Sequence, residues 1–146
     1  MRPEDLSFST ADVSVGHPTN IRDGWVRSYL ADGRLVQWRP PRDAFPAIVR
    51  WAVDAETAAA PVPVALARRT KISDPAVFWP QWTAVEVACK LLHIPIMAWI
   101  AAHSVDGSPA SDLGVVCRTL THLDLVVTVG ALATATDASG DSVQRP

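Results

Sequence analysis

The chain has 146 residues, of which 49% are apolar and 19% charged, and its formal net charge is −2. This length and composition suit one domain with a sizeable core and are the opposite of the disorder signature. The near-neutral balance creates no overall field toward nucleic acid or an anionic membrane.

Residues 1–24 read as polar and irregular, with a short strand around Asp12–Val15. The N-terminal stretch lacks the apolar core of a secretory leader, so the expected location is the cytoplasm. The clearest local signal follows. Two β-prone runs, Trp25–Leu30 and Arg34–Arg39, flank Asp32-Gly33, and Asp-Gly between such runs predicts a two-residue hairpin turn. That turn sets Leu30 opposite Leu35, Tyr29 opposite Val36, Arg27 opposite Trp38 and Trp25 opposite Pro40. Trp25, Arg27, Tyr29, Val36 and Trp38 then share one face.

A helix is predicted over Asp43–Ala59. Asp43 caps it, Pro46 falls in the first turn, and Phe45, Ile48, Val49 and Ala52 recur at helical spacing. Val62, Val64 and Leu66 alternate, which reads as an edge strand over 62–67 that tolerates Pro63. Residues 68–82 read as a loop holding Arg68, Arg69, Lys71 and the aromatic cluster Phe78-Trp79-Pro80-Gln81-Trp82. Thr83 and Glu86 form a capping box ahead of a helix carrying Val87, Ala88, Leu91 and Leu92. Pro95 opens a second helix, 95–105, and Ser108-Pro109 a third that runs to about Leu123. Leu125–Val129 is a short β-prone run, and from Thr136 the chain is polar without an apolar pattern. The expectation is an α+β domain over 1–135 with a flexible tail at 136–146. It comprises a small antiparallel sheet built on the 25–39 hairpin, one helix packed on it, and a three-helix C-terminal layer.

The longest apolar stretch is 91–102, too short for the roughly twenty residues of a membrane span, so no membrane partner is expected. Cys89 and Cys117 allow at most one bridge and set no disulfide framework. With His93 and His122 they match a zinc set in composition. The five-residue step from Cys117 to His122 points the two side chains apart on a helix, so no metal or other cofactor is assigned. No P-loop, dinucleotide fingerprint, G-x-S-x-G or H-E-x-x-H occurs, and catalytic residues are left unassigned.

Three function classes remain. A non-enzymatic binding or regulatory protein would meet a partner protein through exposed rings at Phe78, Trp79 and Trp82. A nucleic-acid-associated regulator would use a helix-turn-helix-like segment at 83–104 and an Arg-rich face. That face is formed by Arg22, Arg27, Arg34, Arg39, Arg68, Arg69 and Lys71, with Trp38 stacking. A small enzyme would need His93, His103 or His122 beside a carboxylate in a pocket. The first ranks highest. From residue 72 onward acidic residues outnumber basic ones, which leaves the helical half poor in phosphate contacts.

Overall fold

The computed structural model describes residues 9–133. The predicted tail from 136, and the domain limit at 135, lie outside the described residues. The architecture is α+β. Strands β1 (Val13–Gly16), β2 (Val26–Tyr29) and β3 (Leu35–Trp38) form one antiparallel sheet in the order β1-β3-β2. Strands β4 (Ile48–Thr57), β5 (Val115–His122) and β6 (Leu125–Ala133) form a second, in the order β4-β6-β5. Between β4 and β5 the chain makes helices α1 (Val64–Thr70), α2 (Pro75–Leu92) and α3 (Ile96–His103), then a 3-10 turn at Ser108–Leu113.

The second sheet is the middle layer. On β6, Leu125, Val127 and Val129 pack with Val13, Leu30, Val36 and Trp38 of the first sheet and with Val53 and Ala55 of β4. The alternate residues look the other way: Val126 and Leu132 join the cluster of Phe78, Trp79, Trp82, Val85 and Leu91 beneath the helices. The period-2 alternation of side chains thus loads both faces of one strand. A chain of three hydroxyls, those of buried Thr83 and Thr128 and of exposed Thr119, ties the helical layer to the sheet. Thr83 Oγ1 lies 2.7 Å from Thr128 Oγ1, and Thr119 Oγ1 is also 2.7 Å from Thr128 Oγ1.

The predicted hairpin forms, with its register moved by one residue. The loop holds three residues, Ala31, Asp32 and Gly33: the Gly33 N–H donates to Leu30 O, the Leu30 N–H donates to Arg34 O, and Gly33 takes φ +88°. This is a type I turn followed by a left-handed glycine, the second common way to use Asp-Gly. Ser28 therefore faces Val36 and Val26 faces Trp38. A one-residue slip turns one strand over relative to the other. Trp38 and Val36 look into the core, while Arg27 and Tyr29 look away from it, so the expected common aromatic face does not exist.

The region predicted as helix 43–59 is strand β4 after a 3-10 turn at Arg42–Ala44. The pairing to β6 shifts between Ile48 and Arg50, so Val49 is the extra residue of a β-bulge. The bulge carries Ile48 to the side of Trp51, where both pack with Val116 and Ala131. It breaks the alternation of two and makes positions 45, 48, 49 and 52 imitate helical spacing.

Residues 62–67, expected as an edge strand, instead lead into α1. Leu66 and Thr70 lie four apart on its inner side, and Thr70 Oγ1 donates to Leu66 O at 2.9 Å. The expected loop at 68–82 holds the end of α1 and the start of α2. Asp74 accepts a hydrogen bond from Ala76 N at 2.9 Å as the N-cap, and Pro75 opens the helix. Pro80 sits inside α2 without breaking it. Its lost backbone bond, a cost of about 3 kcal/mol, is offset by burial of Phe78, Trp79 and Trp82 around it. Thr83 is accordingly an interior helix residue and caps nothing.

The predicted helix 95–105 is α3. The third predicted helix, over 108–123, is a 3-10 turn followed by β5. Val115, Val116, Thr119 and Thr121 are β-branched and suit a strand that lies on α2. The β-prone run at Leu125–Val129 extends to Ala133 as β6.

Gly130 shows how closely α2 seats on the middle sheet. A Cβ at Gly130 would lie 2.4 Å from Val87 Cγ1 and 3.0 Å from Cys117 Sγ. Gly130→Ala is expected to lower unfolding free energy by about 2 kcal/mol through overpacking. Gly16→Ala, with nothing within 4 Å of the new atom, is expected to change it by less than about 1 kcal/mol. Urea unfolding of both variants checks the pair.

Candidate functional site

The two sheets meet along a seam where β2 lies against β4 without a shared hydrogen-bonded ladder. Side chains close one end of it. Ser28 Oγ donates to Asp54 Oδ1 at 2.9 Å, and Lys90 Nζ reaches from α2 to the same oxygen at 2.7 Å. Lys90 Nζ also lies 3.1 Å from Val53 O and 3.3 Å from Ser28 Oγ. Its three donors are thus spent on three acceptors from β2 and β4. This cross-tie holds α2 and the two sheets at one point.

Away from the tie the strands part, and a cleft of about 620 Å³ opens between residues 21–27 and 49–53, with Lys90, Leu91 and His93 at the end of α2. Arg22, Arg27, Arg42 and Arg50 line it, beside a single carboxylate residue, Asp23. None of these four guanidinium groups has an ion-pair partner among the described residues, whereas Arg34, Arg39 and Lys90 do.

Several of the cations are held in place by neutral groups. Arg50 Nη1 donates to Leu91 O at 2.8 Å, near the last carbonyls of α2. Arg22 stands 4.6 Å from the centre of the Trp25 ring, with Arg39 at 6.0 Å from the same ring. The loop carrying Arg22 is fastened by buried Gln37, which accepts from Arg22 N at 2.7 Å and donates to Asn20 O at 2.7 Å. The planar guanidinium fork is the side chain whose geometry matches carboxylate and phosphate oxygens.

His93 ends α2 in the left-handed conformation, φ 58°, and its N–H and that of Ile94 both satisfy Cys89 O. Glycine takes this position at least cost. Among the described residues no hydrogen bond joins His93 to Asp23 or to another carboxylate, so the cleft shows no acid–base pair.

On the helix side of β4 lies a group of carboxylates. Asp54 is only 6% exposed, and its Oδ2 has no hydrogen-bond partner. Burial raises its pKa, against the pull of Lys90 and Ser28. Glu56 is pushed up to about 7 by burial first, then by Asp54 and Glu86. Burial likewise raises Glu86.

The residues singled out in the sequence separate in space. Phe78, Trp79 and Trp82, expected as an exposed partner contact, are 0%, 6% and 8% exposed and form the core of the helical layer. Trp79 Nε1 donates to Ala60 O at 2.7 Å, so even its polar edge is used internally. Trp38, expected as a stacking ring, is fully buried against Trp51. Arg34 is taken up by Asp32 and Asp124 at the hairpin tips, and Arg39 by Asp12. Arg68, Arg69 and Lys71 are exposed in and just after α1, and Arg27 lines the cleft. The α2–α3 pair bends by 119°, within the helix-turn-helix range. However, Trp99 and Ile100 of α3 are buried, and its exposed residues Met97, Ala98, Ala101, Ala102 and His103 include no Arg or Lys. Cys89 and Cys117 are free thiols that burial pushes up to about 11 and about 12. Among the described residues no group of three or more His, Cys, Asp or Glu side chains is placed to hold a metal. Arg42 and Arg50 lie outside the Arg-rich face expected from the sequence; the signal that points to them is that residues 22–50 hold six Arg against three Asp.

Compared with known proteins, the chain matches no family model, no curated protein and no solved structure.

Two outcomes are expected. Glu56 titrates higher in the folded chain than its ordinary value of 4.5, so the folded state binds more protons and stability falls as pH rises from about 4.5 to about 7. Glu56→Gln is expected to raise stability by about 1 kcal/mol at pH 8, after allowance for solvent screening of a half-exposed group. It should change little at pH 4, and thermal melts across pH check this. His93→Gly is expected to stabilise the fold by about 1 kcal/mol by relieving the left-handed residue, measured by urea unfolding.

Proposed function

We propose that the chain is a non-enzymatic binding or regulatory protein that works in the cytoplasm through protein–protein contacts, with the seam cleft as its contact surface. The observation that carries this reading is the convergence of Arg22, Arg27, Arg42 and Arg50, none of them ion-paired, around one cleft. Such a surface fits an acidic segment of a partner. Carboxylates accept the planar guanidinium fork in pairs, and complementary charge speeds encounter and rejects wrong partners. Exposed Ile21 and Val49 beside the cations suit the apolar side chains of a peptide. Trp25 is engaged by two guanidinium groups, which leaves it poorly placed for base stacking. The free state of both cysteines accords with a reducing compartment. Among the described residues no helix is long and apolar enough to cross a membrane.

The test is fluorescence anisotropy with a labelled Glu-rich peptide, its Gln-rich counterpart and a dT oligonucleotide. The Glu-rich peptide is expected to bind with an affinity that falls as salt rises. Arg27→Glu with Arg42→Glu is expected to weaken it at least tenfold while melting temperature holds, because neither side chain supports the core. Tighter binding of the oligonucleotide would transfer the cleft to nucleic acid.

A further inference from the structure

The hydrogen-bond polarity of the strands beside the cleft says how a partner segment would lie in it, and this inference rests on the binding reading above. In an antiparallel ladder, successive residues turn their N–H and C=O alternately toward and away from one neighbour. On β4 the Ala58 N–H donates to Asp124 O just past the paired residues, so even-numbered positions address β6. Val53 O, on an odd position, instead accepts from Lys90 Nζ at the seam. Trp51 therefore also directs its peptide groups away from β6, at the wall of the cleft. On β2 the Leu30 N–H donates to Arg34 O, so even positions address β3 and Arg27 directs its peptide groups outward. Both strands are sheet edges. Where they part, each offers backbone groups to the same cleft.

We propose that the cleft takes an extended acidic segment of a partner protein as an added strand along the Trp51–Val53 edge of β4, its carboxylates meeting Arg22, Arg27, Arg42 and Arg50. Backbone pairing supplies the alignment and alternate side chains the specificity. Side chains of an added strand alternate as those of β4 do. The cleft is lined both by the exposed apolar residues Ile21 (50% exposed) and Val49 (55%) and by the guanidinium groups, so the occupant is a segment carrying acidic and apolar side chains together, the apolar ones β-branched to favour the extended backbone. Lys90 covers Val53 O and ties the seam at Ser28–Asp54, so the added strand ends there.

The probe is a capped eight-residue peptide of alternating Glu and Val, compared with two versions N-methylated at odd or at even positions. The full-length chain is used, with affinity read by anisotropy and backbone protection by amide hydrogen exchange. The expected result is that one N-methylated version loses at least tenfold in affinity while the other retains it. The amides of Trp51 and Val53 are expected to slow at least tenfold on binding the parent peptide. If the parent binds with salt dependence but N-methylation changes nothing and β4 amides exchange as before, strand addition is overturned and the basic-cleft reading stands. If neither this peptide nor the Glu-rich one binds, both fall.

Discussion

Burial of β6 on both faces is the constraint from which the rest of the structure follows. Seven successive residues from Leu125 to Ala131 are buried, so this strand needs a layer on each side. The first sheet covers Leu125, Val127 and Val129, and α2 covers Val126, Thr128 and Gly130. A strand of such hydrophobicity is normal for a parallel sheet between helix layers. Here an antiparallel sheet meets the same condition by using a small sheet as one of its covers. Gly130 and the Thr83–Thr128–Thr119 hydroxyls fix the close approach of the helix. The first requires absence of a side chain, and the second requires that each buried hydroxyl find a partner.

A sheet used as a cover leaves an edge next to another edge, and the seam between β2 and β4 is the result. Open edges invite pairing with other chains, and charge is a common means of limiting it. The chain manages the two ends of its seam differently. One end is closed by Lys90, which satisfies an edge carbonyl and neutralises Asp54 together. The other end is left open and lined with guanidinium groups whose counter-charges are absent among the described residues. Were the cations merely protective, an alternation with acids, as at Asp32–Arg34–Asp124, would serve as well without mutual repulsion. Uncompensated charge of one sign favours an anionic occupant.

The sequence revealed much of the local order and little of the pairing. The hairpin was legible because Asp-Gly restricts backbone conformation strongly. Its register was not, because Asp-Gly serves both two- and three-residue loops, and only the core decides which side of Trp38 is buried. Strand β4 imitates a helix in the sequence for a definite reason: one extra residue at Val49 converts a period of two into an apparent period near four. The N-terminal half of α2 was hidden by Pro80 and by the aromatic cluster, whose rings pack on one another within the helix, Phe78 stacking on Trp82 at 5.4 Å. The Arg excess over 22–50 did foreshadow the site. Which of those residues would be neutralised, and which left open, depends on contacts as distant as Arg34 with Asp124 and Arg50 with Leu91.

Departures from local rules sharpen the assignment. Left-handed backbone by itself is not a pointer, since Lys71 and Ser104 end helices and Leu123 turns a hairpin, all outside the cleft lining. What distinguishes the cleft is that independent departures coincide there. A bulge sits at Val49 on one wall, a left-handed His93 stands at the end of α2, and unpaired guanidinium groups occupy three different segments of chain. A buried carboxylate with one bare oxygen lies just behind, at Asp54. Each lowers stability on its own account, and a sequence shaped for stability alone would remove them singly, by regularising β4, placing glycine at 93 or pairing the arginines. The Lys90 cross-tie makes their coexistence possible, because it anchors the seam at one point and lets the chain between residues 21 and 27 stand apart from β4 without the sheets separating.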